Sequence, residues 1–226
     1  MRFVIVTLML LAVVTGVHAQ DTAGTPVEIS ADDGLTLSGT YYGTGGDAPA
    51  VLLLHQLYTT RASWDRLIQP LQDAGYRVLS VDMRGYGTTR GRINWTQAQT
   101  DAALWLEWLA AQPGTQRVYT VGSSMGSSMA LIACGAVESC RGAVALSPGL
   151  NYYGVSVMGP LESGFAKLIV YADRDRWPVR AVPAIEALAN AAITLRSYPG
   201  RAHGMDLFTQ YDDLLPALIE WLGANA

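Results

Sequence analysis

The stretch Val118-Tyr119-Thr120-Val121-Gly122-Ser123-Ser124-Met125-Gly126-Ser127-Ser128-Met129-Ala130 changes character halfway along. Its first four residues are the β-branched and aromatic types of a buried strand, and from Met125 small and apolar residues continue in a helical pattern to Val137. Between them lies Gly122-x-Ser124-x-Gly126, where two glycines permit a tight strand-to-helix turn that exposes the middle serine. With 23 glycines in the chain, the bare pattern is expected by chance roughly 0.13 times, so the strand-turn-helix context gives it meaning. Gly126-Ser127-Ser128-Met129-Ala130 nearly repeats the motif, but it falls inside the helix, where no sharp turn is available. Ser124 is therefore the candidate nucleophile.

Working outward, short apolar runs bounded by Gly, Pro, Asp or His recur at Ala50 to Leu54, Arg77 to Val81, Val118 to Val121, Gly142 to Leu146, Leu168 to Tyr171 and Ile193 to Tyr198. Runs of that kind suit the doubly buried strands of a parallel sheet. Helical patterns separate them at Ala62 to Ala74, Thr96 to Ala111, Met125 to Val137, Arg180 to Ala191 and Asp213 to Leu222. Before the first run, Pro26 to Ala31 and Leu35 to Tyr42 read as an antiparallel hairpin turning at Asp32-Asp33-Gly34. The fold class is thus α/β: one domain with a mostly parallel eight-stranded sheet, helices on both faces and right-handed crossovers. Trp105, Trp108 and Leu109 recur at helical spacing and read as core.

In such sheets reactive groups collect where strands end and loops begin. A serine hydroxyl needs a base, and the base needs an orienting group. The chain holds three histidines, His18, His55 and His203. His18 belongs to the N-terminal segment discussed below. His55 directly ends a strand and reads as a structural residue of its loop. His203, in Tyr198-Pro-Gly-Arg-Ala-His-Gly204, follows a strand in a loop suited to reach Ser124. The junction after Leu168 to Tyr171 supplies two carboxylates, Asp173 and Asp175, and the residues alone do not choose between them.

Composition excludes other chemistries. Half the residues are apolar, and 15 basic side chains face 19 acidic ones for a formal charge of −4, so the chain can bury a core and is not disordered. The single lysine, Lys167 in Phe-Ala-Lys-Leu-Ile, fits neither a phosphate-binding loop nor a kinase strand. Ligands for a histidine-rich or four-cysteine zinc site are lacking. No basic stripe along the sequence points to nucleic acid or to an anionic membrane surface.

Met1-Arg2 precedes an unbroken apolar run from Phe3 to Val14, and Val17-His18-Ala19 precedes Gln20. Residues 1–19 have the shape of a signal peptide, leaving a domain of residues 20–226 without stable membrane insertion. The run is shorter than the roughly 20 residues of a spanning helix, and the alternative to a cleaved signal is that the segment is kept as an anchor. Export to a periplasm or the exterior favours a disulfide between Cys134 and Cys140, which lie close in sequence.

The motifs together resemble the α/β-hydrolase superfamily, in particular its small dienelactone-hydrolase-like and esterase-like members, over about residues 27–222. The resemblance rests on the Gly122-x-Ser124-x-Gly126 elbow, the order serine, aspartate, histidine, and the His203-Gly204 ending. Val81-Asp82-Met83-Arg84-Gly85-Tyr86-Gly87 is similar to the family's structural Asp-x-Arg-Gly-x-Gly turn. The family's acid loop has a small residue three positions before the aspartate and a proline after it, as Ala172 and Pro178 stand around Asp175, so the resemblance implies Asp175 as the acid. It also implies an oxyanion hole from the backbone amides of Met125 and Leu57, although Gln56 departs from the family's usual His-Gly. Fewer than twenty residues separate Ser147-Pro148 from Lys167, leaving no room for the lid domain of larger members. Leu57, Tyr58, Tyr152, Tyr153, Met158 and Trp177 are expected to line an apolar site. The implied function is an exported serine esterase acting on a small or accessible ester through an acyl-enzyme, with no metal or cofactor. Alternatives are a peptidase or amidase with the same residues, or a non-catalytic binding protein on the same scaffold.

Overall fold

The structure, a computed structural model, describes residues 24–188 and 190–225; the expected signal peptide at 1–19 lies outside them. In chain order the elements are β1 (Thr25–Ser30), β2 (Thr36–Tyr42), β3 (Ala48–Leu54), α1 (Asp65–Asp73), β4 (Arg77–Asp82), α2 (Trp95–Ala110), β5 (Thr115–Ser123), α3 (Met125–Ala136), β6 (Cys140–Leu146), β7 (Asn151–Tyr152), β8 (Val155–Ser156), α4 (Met158–Glu162), β9 (Ala166–Ala172), α5 (Arg176–Ala187), β10 (Ile193–Tyr198), α6 (Asp206–Gln210) and α7 (Leu214–Ala224). Eight strands form one sheet in the order β1-β2-β4-β3-β5-β6-β9-β10. β1 and β2 pair antiparallel, β2 runs antiparallel to β4, and every pairing from β4 to β10 is parallel. All six parallel strands therefore end on one edge.

The period-two rule decides which side chain goes where. On β3, Ala50, Leu52 and Leu54 enter a core shared with Trp105, Leu106 and Leu109 of α2, Met129 of α3 and Ile185 of α5. Val51 and Leu53 enter the opposite core with Leu67 and Leu71 of α1, Phe208 of α6 and Leu214 and Leu218 of α7. Burial on both sides explains why β3 reads as a continuous apolar run rather than an alternating one.

Two features differ from the sequence reading. Helix α5 spans Arg176–Ala187 instead of starting at Arg180, because Pro178 sits in the first turn, where a missing N–H costs nothing. The segment between β6 and β9 holds the small β7-β8 hairpin and the five-residue α4, consistent with the absence of a lid domain. Cys134 and Cys140 are disulfide-bonded, joining the end of α3 to the start of β6. Lys167 is fully buried; its ammonium donates to the Ser163 and Phe165 carbonyls, and burial lowers it to about 8.

Candidate active site

The turn from β5 to α3 stands Ser124 in the left-handed region, at φ 51° and ψ −114°. The flanking glycines are required by space. A Cβ on Gly122 would collide with the Gly126 carbonyl oxygen, and one on Gly126 with the carbonyl oxygens of Leu54 and His55. The turn is thus pressed against the end of β3, and Ser124 is tied to β6 by its own N–H to Leu146 O at 2.8 Å.

Three side chains from three strand ends meet there. His203 Nε2 lies 2.8 Å from Ser124 Oγ, and His203 Nδ1 lies 2.6 Å from Asp175 Oδ2. Asp175 is buried and occupies the cap position of α5, yet its carboxylate makes no capping bond; it is committed to the imidazole. Asp173, the other carboxylate of this loop, is exposed and accepts from the Gly200 N–H at 2.8 Å. Backbone bonds from Asp173 N to Tyr198 O and from Arg174 N to Gly200 O fasten the aspartate loop to the histidine loop. In this arrangement the serine proton can pass to Nε2 while the carboxylate fixes the tautomer and steadies the imidazolium.

His55 is fully buried and lies outside this chain. Its Nε2 is 3.0 Å from the Met83 amide, which can only donate, so Nε2 accepts and the proton sits on Nδ1, 2.8 Å from the Gln56 carbonyl oxygen. Burial holds this imidazole below its ordinary range, in keeping with the neutral form. Thr59 Oγ1 donates to the same carbonyl at 2.9 Å. Because a trans peptide sets C=O and the following N–H on opposite sides, these bonds turn the Leu57 N–H away from His55. Among the described residues neither the Leu57 amide nor the Met125 amide has a hydrogen-bond acceptor. Met125 adjoins Ser124 and Leu57 lines the same cleft, so both amides are free to donate to a group bound there.

The Gln56 side chain, which sequence reasoning treated only as a departure, is tied into the site. Its Oε1 accepts from Ser123 Oγ at 2.9 Å and from the Met205 N–H at 3.1 Å. Ser147, just past β6 and itself left-handed at φ 53°, accepts from the Gly204 N–H at 3.0 Å. These two contacts hold the histidine loop from below.

A cleft of about 540 Å³ opens over Ser124 and His203, lined by Gln56, Leu57, Tyr58, Tyr152, Tyr153 and Trp177, together with small polar residues. Of the expected lining residues, Met158 is not among them; it heads α4 and packs on the core beside α3. Trp95, not singled out from the sequence, meets Tyr152 edge-on at 5.0 Å and stacks on Tyr153 at 5.8 Å. Tyr152 Oη is buried and has no hydrogen-bond partner among the described residues, and burial pushes this phenol well above its usual range. Among the described residues no cluster of His, Cys, Asp or Glu is arranged to hold a metal ion.

Comparison with known proteins agrees with this fold. An uncharacterized protein of Mycobacterium tuberculosis is 34% identical over 113 residues, 48% of this chain and 40% of that one. The lysophosphatidylserine lipase ABHD12 of Xenopus tropicalis is 34% identical over 84 residues, 36% of this chain and 22% of that one. The chain thus spans well under half the length of these curated relatives. The Pyrococcus furiosus esterase Pf2001 superposes with a TM-score of 0.78 at 20% identity, covering 89% of this chain and 90% of the esterase. A protein of unknown function from Agrobacterium tumefaciens does so at 0.75 with 24% identity, covering 88% and 95%. The family described as the alpha/beta hydrolase fold matches residues 49–178, and the chain belongs to that α/β-hydrolase family.

Proposed function

We propose that this protein is an exported serine hydrolase cleaving carboxylic esters of small or accessible substrates. The observation carrying this reading is the unbroken hydrogen-bonded chain from Ser124 Oγ through His203 to Asp175, at 2.8 and 2.6 Å. Ser124 Oγ attacks the ester carbonyl while His203 Nε2 takes its proton. The tetrahedral oxyanion meets the Met125 and Leu57 amides, each such donor being worth about 100-fold to 1000-fold in rate. As the intermediate collapses, His203 returns the proton to the departing alkoxide and the carbon-oxygen bond breaks, leaving Ser124 acylated. Water then attacks the acyl carbon with His203 again as base, releasing the acid and restoring the serine. Asp175 orients the imidazole throughout. Export is supported by the N-terminal apolar run and by the disulfide, which persists in oxidising compartments.

A fluorophosphonate probe is expected to modify the wild type stoichiometrically at Ser124, and Ser124→Ala to lose both labelling and ester hydrolysis. Unlabelled wild type, or a Ser124→Ala variant with full esterase activity, would sink the assignment. Matched ester and amide substrates then measure the leaving-group preference.

A further inference from the structure

Five large apolar side chains stand exposed among the described residues: Tyr58 at 90%, Tyr153 at 75%, Trp177 at 60%, Ile93 at 46% and Val179 at 39%. Soluble proteins ordinarily scatter such residues singly. Here they gather. Tyr58, Tyr153 and Trp177 line the cleft mouth. Ile93 packs beside Gly85, two residues before Trp95, the ring on which Tyr153 stacks. Val179 follows Trp177 within the first turn of α5. Tyr58 and Tyr153 are moreover held in left-handed backbone, at φ 62° and 48°, which non-glycine residues rarely adopt and which clusters at functional sites.

The same edge carries more exposed arginines than exposed carboxylates. The loops that end the strands there, residues 55–60, 83–94, 147–157, 173–180 and 199–205, expose Arg90, Arg92, Arg174, Arg176, Arg180 and Arg201. The exposed carboxylates of this edge are fewer: Asp173, bonded to the Gly200 N–H and paired with Arg174 at 3.6 Å, Asp206 at the start of α6, and Asp32 and Asp33 in the β1–β2 turn, of which Asp33 is paired with Arg84 at 2.6 Å. This occurs in a chain whose formal charge is −4. The linear sequence shows no basic stripe because these arginines belong to separate loops that meet only where the strands end.

We propose that the mouth of the cleft seats on an anionic phospholipid surface. Tyrosine and tryptophan join an apolar body to a polar tip and favour the headgroup boundary. The planar guanidinium forks suit phosphate oxygens, and an anionic leaflet attracts them. A dissolved ester filling the cleft accounts for the rings that line it but not for Ile93 and Val179 outside it. Seating is peripheral, since no helix among the described residues is long and apolar enough to cross a membrane. The inference deepens the hydrolase reading, because a cleft opening onto lipid meets ester-bearing amphiphiles. Vesicle binding does not need Ser124, however, so either reading can fail while the other stands.

The test is co-sedimentation of the full chain with vesicles of phosphatidylcholine alone and with about one-third phosphatidylglycerol. One comparison variant carries Tyr58→Ser, Tyr153→Ser and Trp177→Ser; another carries Arg174→Gln, Arg176→Gln and Arg180→Gln. All six positions are exposed, so circular dichroism spectra should match the wild type. Each arginine near an anionic surface is worth about fivefold in partitioning. We expect the wild type to prefer anionic vesicles at least tenfold, the arginine variant to lose that preference, and the aromatic variant to bind both vesicles at least tenfold more weakly. Partitioning unchanged in either variant overturns the proposal and assigns the contact to the apolar run 3–14, which all three chains share. Wild type that binds neither vesicle yet hydrolyses a soluble ester overturns it too, marking a cleft for dissolved substrates.

Discussion

Replacing Gln56 with leucine keeps the side chain's bulk and removes its oxygen, which makes it a clean probe of how the histidine is held. In the wild type that oxygen receives the Ser123 hydroxyl and the Met205 amide. Ser123 is fully buried and Met205 half-buried, so the first donor loses its partner with no water to replace it and the second with little. A stranded donor costs about 1–3 kcal/mol, so the variant should be less stable by about 2–4 kcal/mol. The effect on rate follows from position. Met205 stands two residues beyond His203, and on the stretch after the histidine the neighbouring side-chain hold is the bond from the Gly204 N–H to Ser147 Oγ at 3.0 Å. With one hold gone the imidazole drifts, and a displacement of about 1 Å costs about 100-fold. We expect kcat on a soluble ester to fall about 10-fold to 100-fold with KM within about twofold, because the apolar walls of the cleft are untouched. Gln56→Glu keeps both accepted bonds and should recover most of the rate. Steady-state kinetics and urea midpoints on the three proteins decide the matter. A leucine variant with wild-type kcat, or a glutamate variant no better than leucine, refutes the reasoning.

Two further outcomes follow. Burial keeps the folded His55 imidazole below its ordinary 6.5, so the unfolded chain takes up a proton that the folded one resists; His55's contribution is full above that pH and declines as pH falls below it. Urea midpoints should drop between about pH 7 and 5, and a His55→Asn variant, whatever its starting stability, should show a shallower drop; an equal slope refutes the role given to this histidine. Cys140→Ser opens the small disulfide ring and should lower stability by about 2 kcal/mol in the loop-entropy account, with kcat unchanged because the ring closes at the end of α3 opposite Ser124; a matching loss of activity in thermally intact protein counts against that separation.

What could be read from the sequence was whatever a few adjacent residues decide. The elbow announces itself because a close approach between Gly122 and Gly126 must be written as glycines four positions apart, and β3 because burial on both faces must be written as an apolar run. The choice between Asp173 and Asp175 is different, since both carry the same group two residues apart. The structure separates them by direction, one carboxylate toward His203 and the other toward the Gly200 turn, and a local pattern borrowed from a family was needed to anticipate it. The β7-β8 hairpin escapes because two-residue strands have no period to detect, and the ring stack that anchors it joins Trp95 to Tyr153 across separate elements. Gln56 escapes most completely. Its partners lie 67 and 149 residues away, and nothing at position 56 alone distinguishes a glutamine that organises a site from one that faces water. The arginines of the cleft mouth obey the same logic at the level of charge: a sum along the chain is acidic, while the edge where six parallel strands end carries more exposed arginines than carboxylates, because topology rather than composition decides which loops become neighbours. Local chemistry is thus legible where it must be encoded locally, and the parts that tune it become legible only once distant strand ends share an edge.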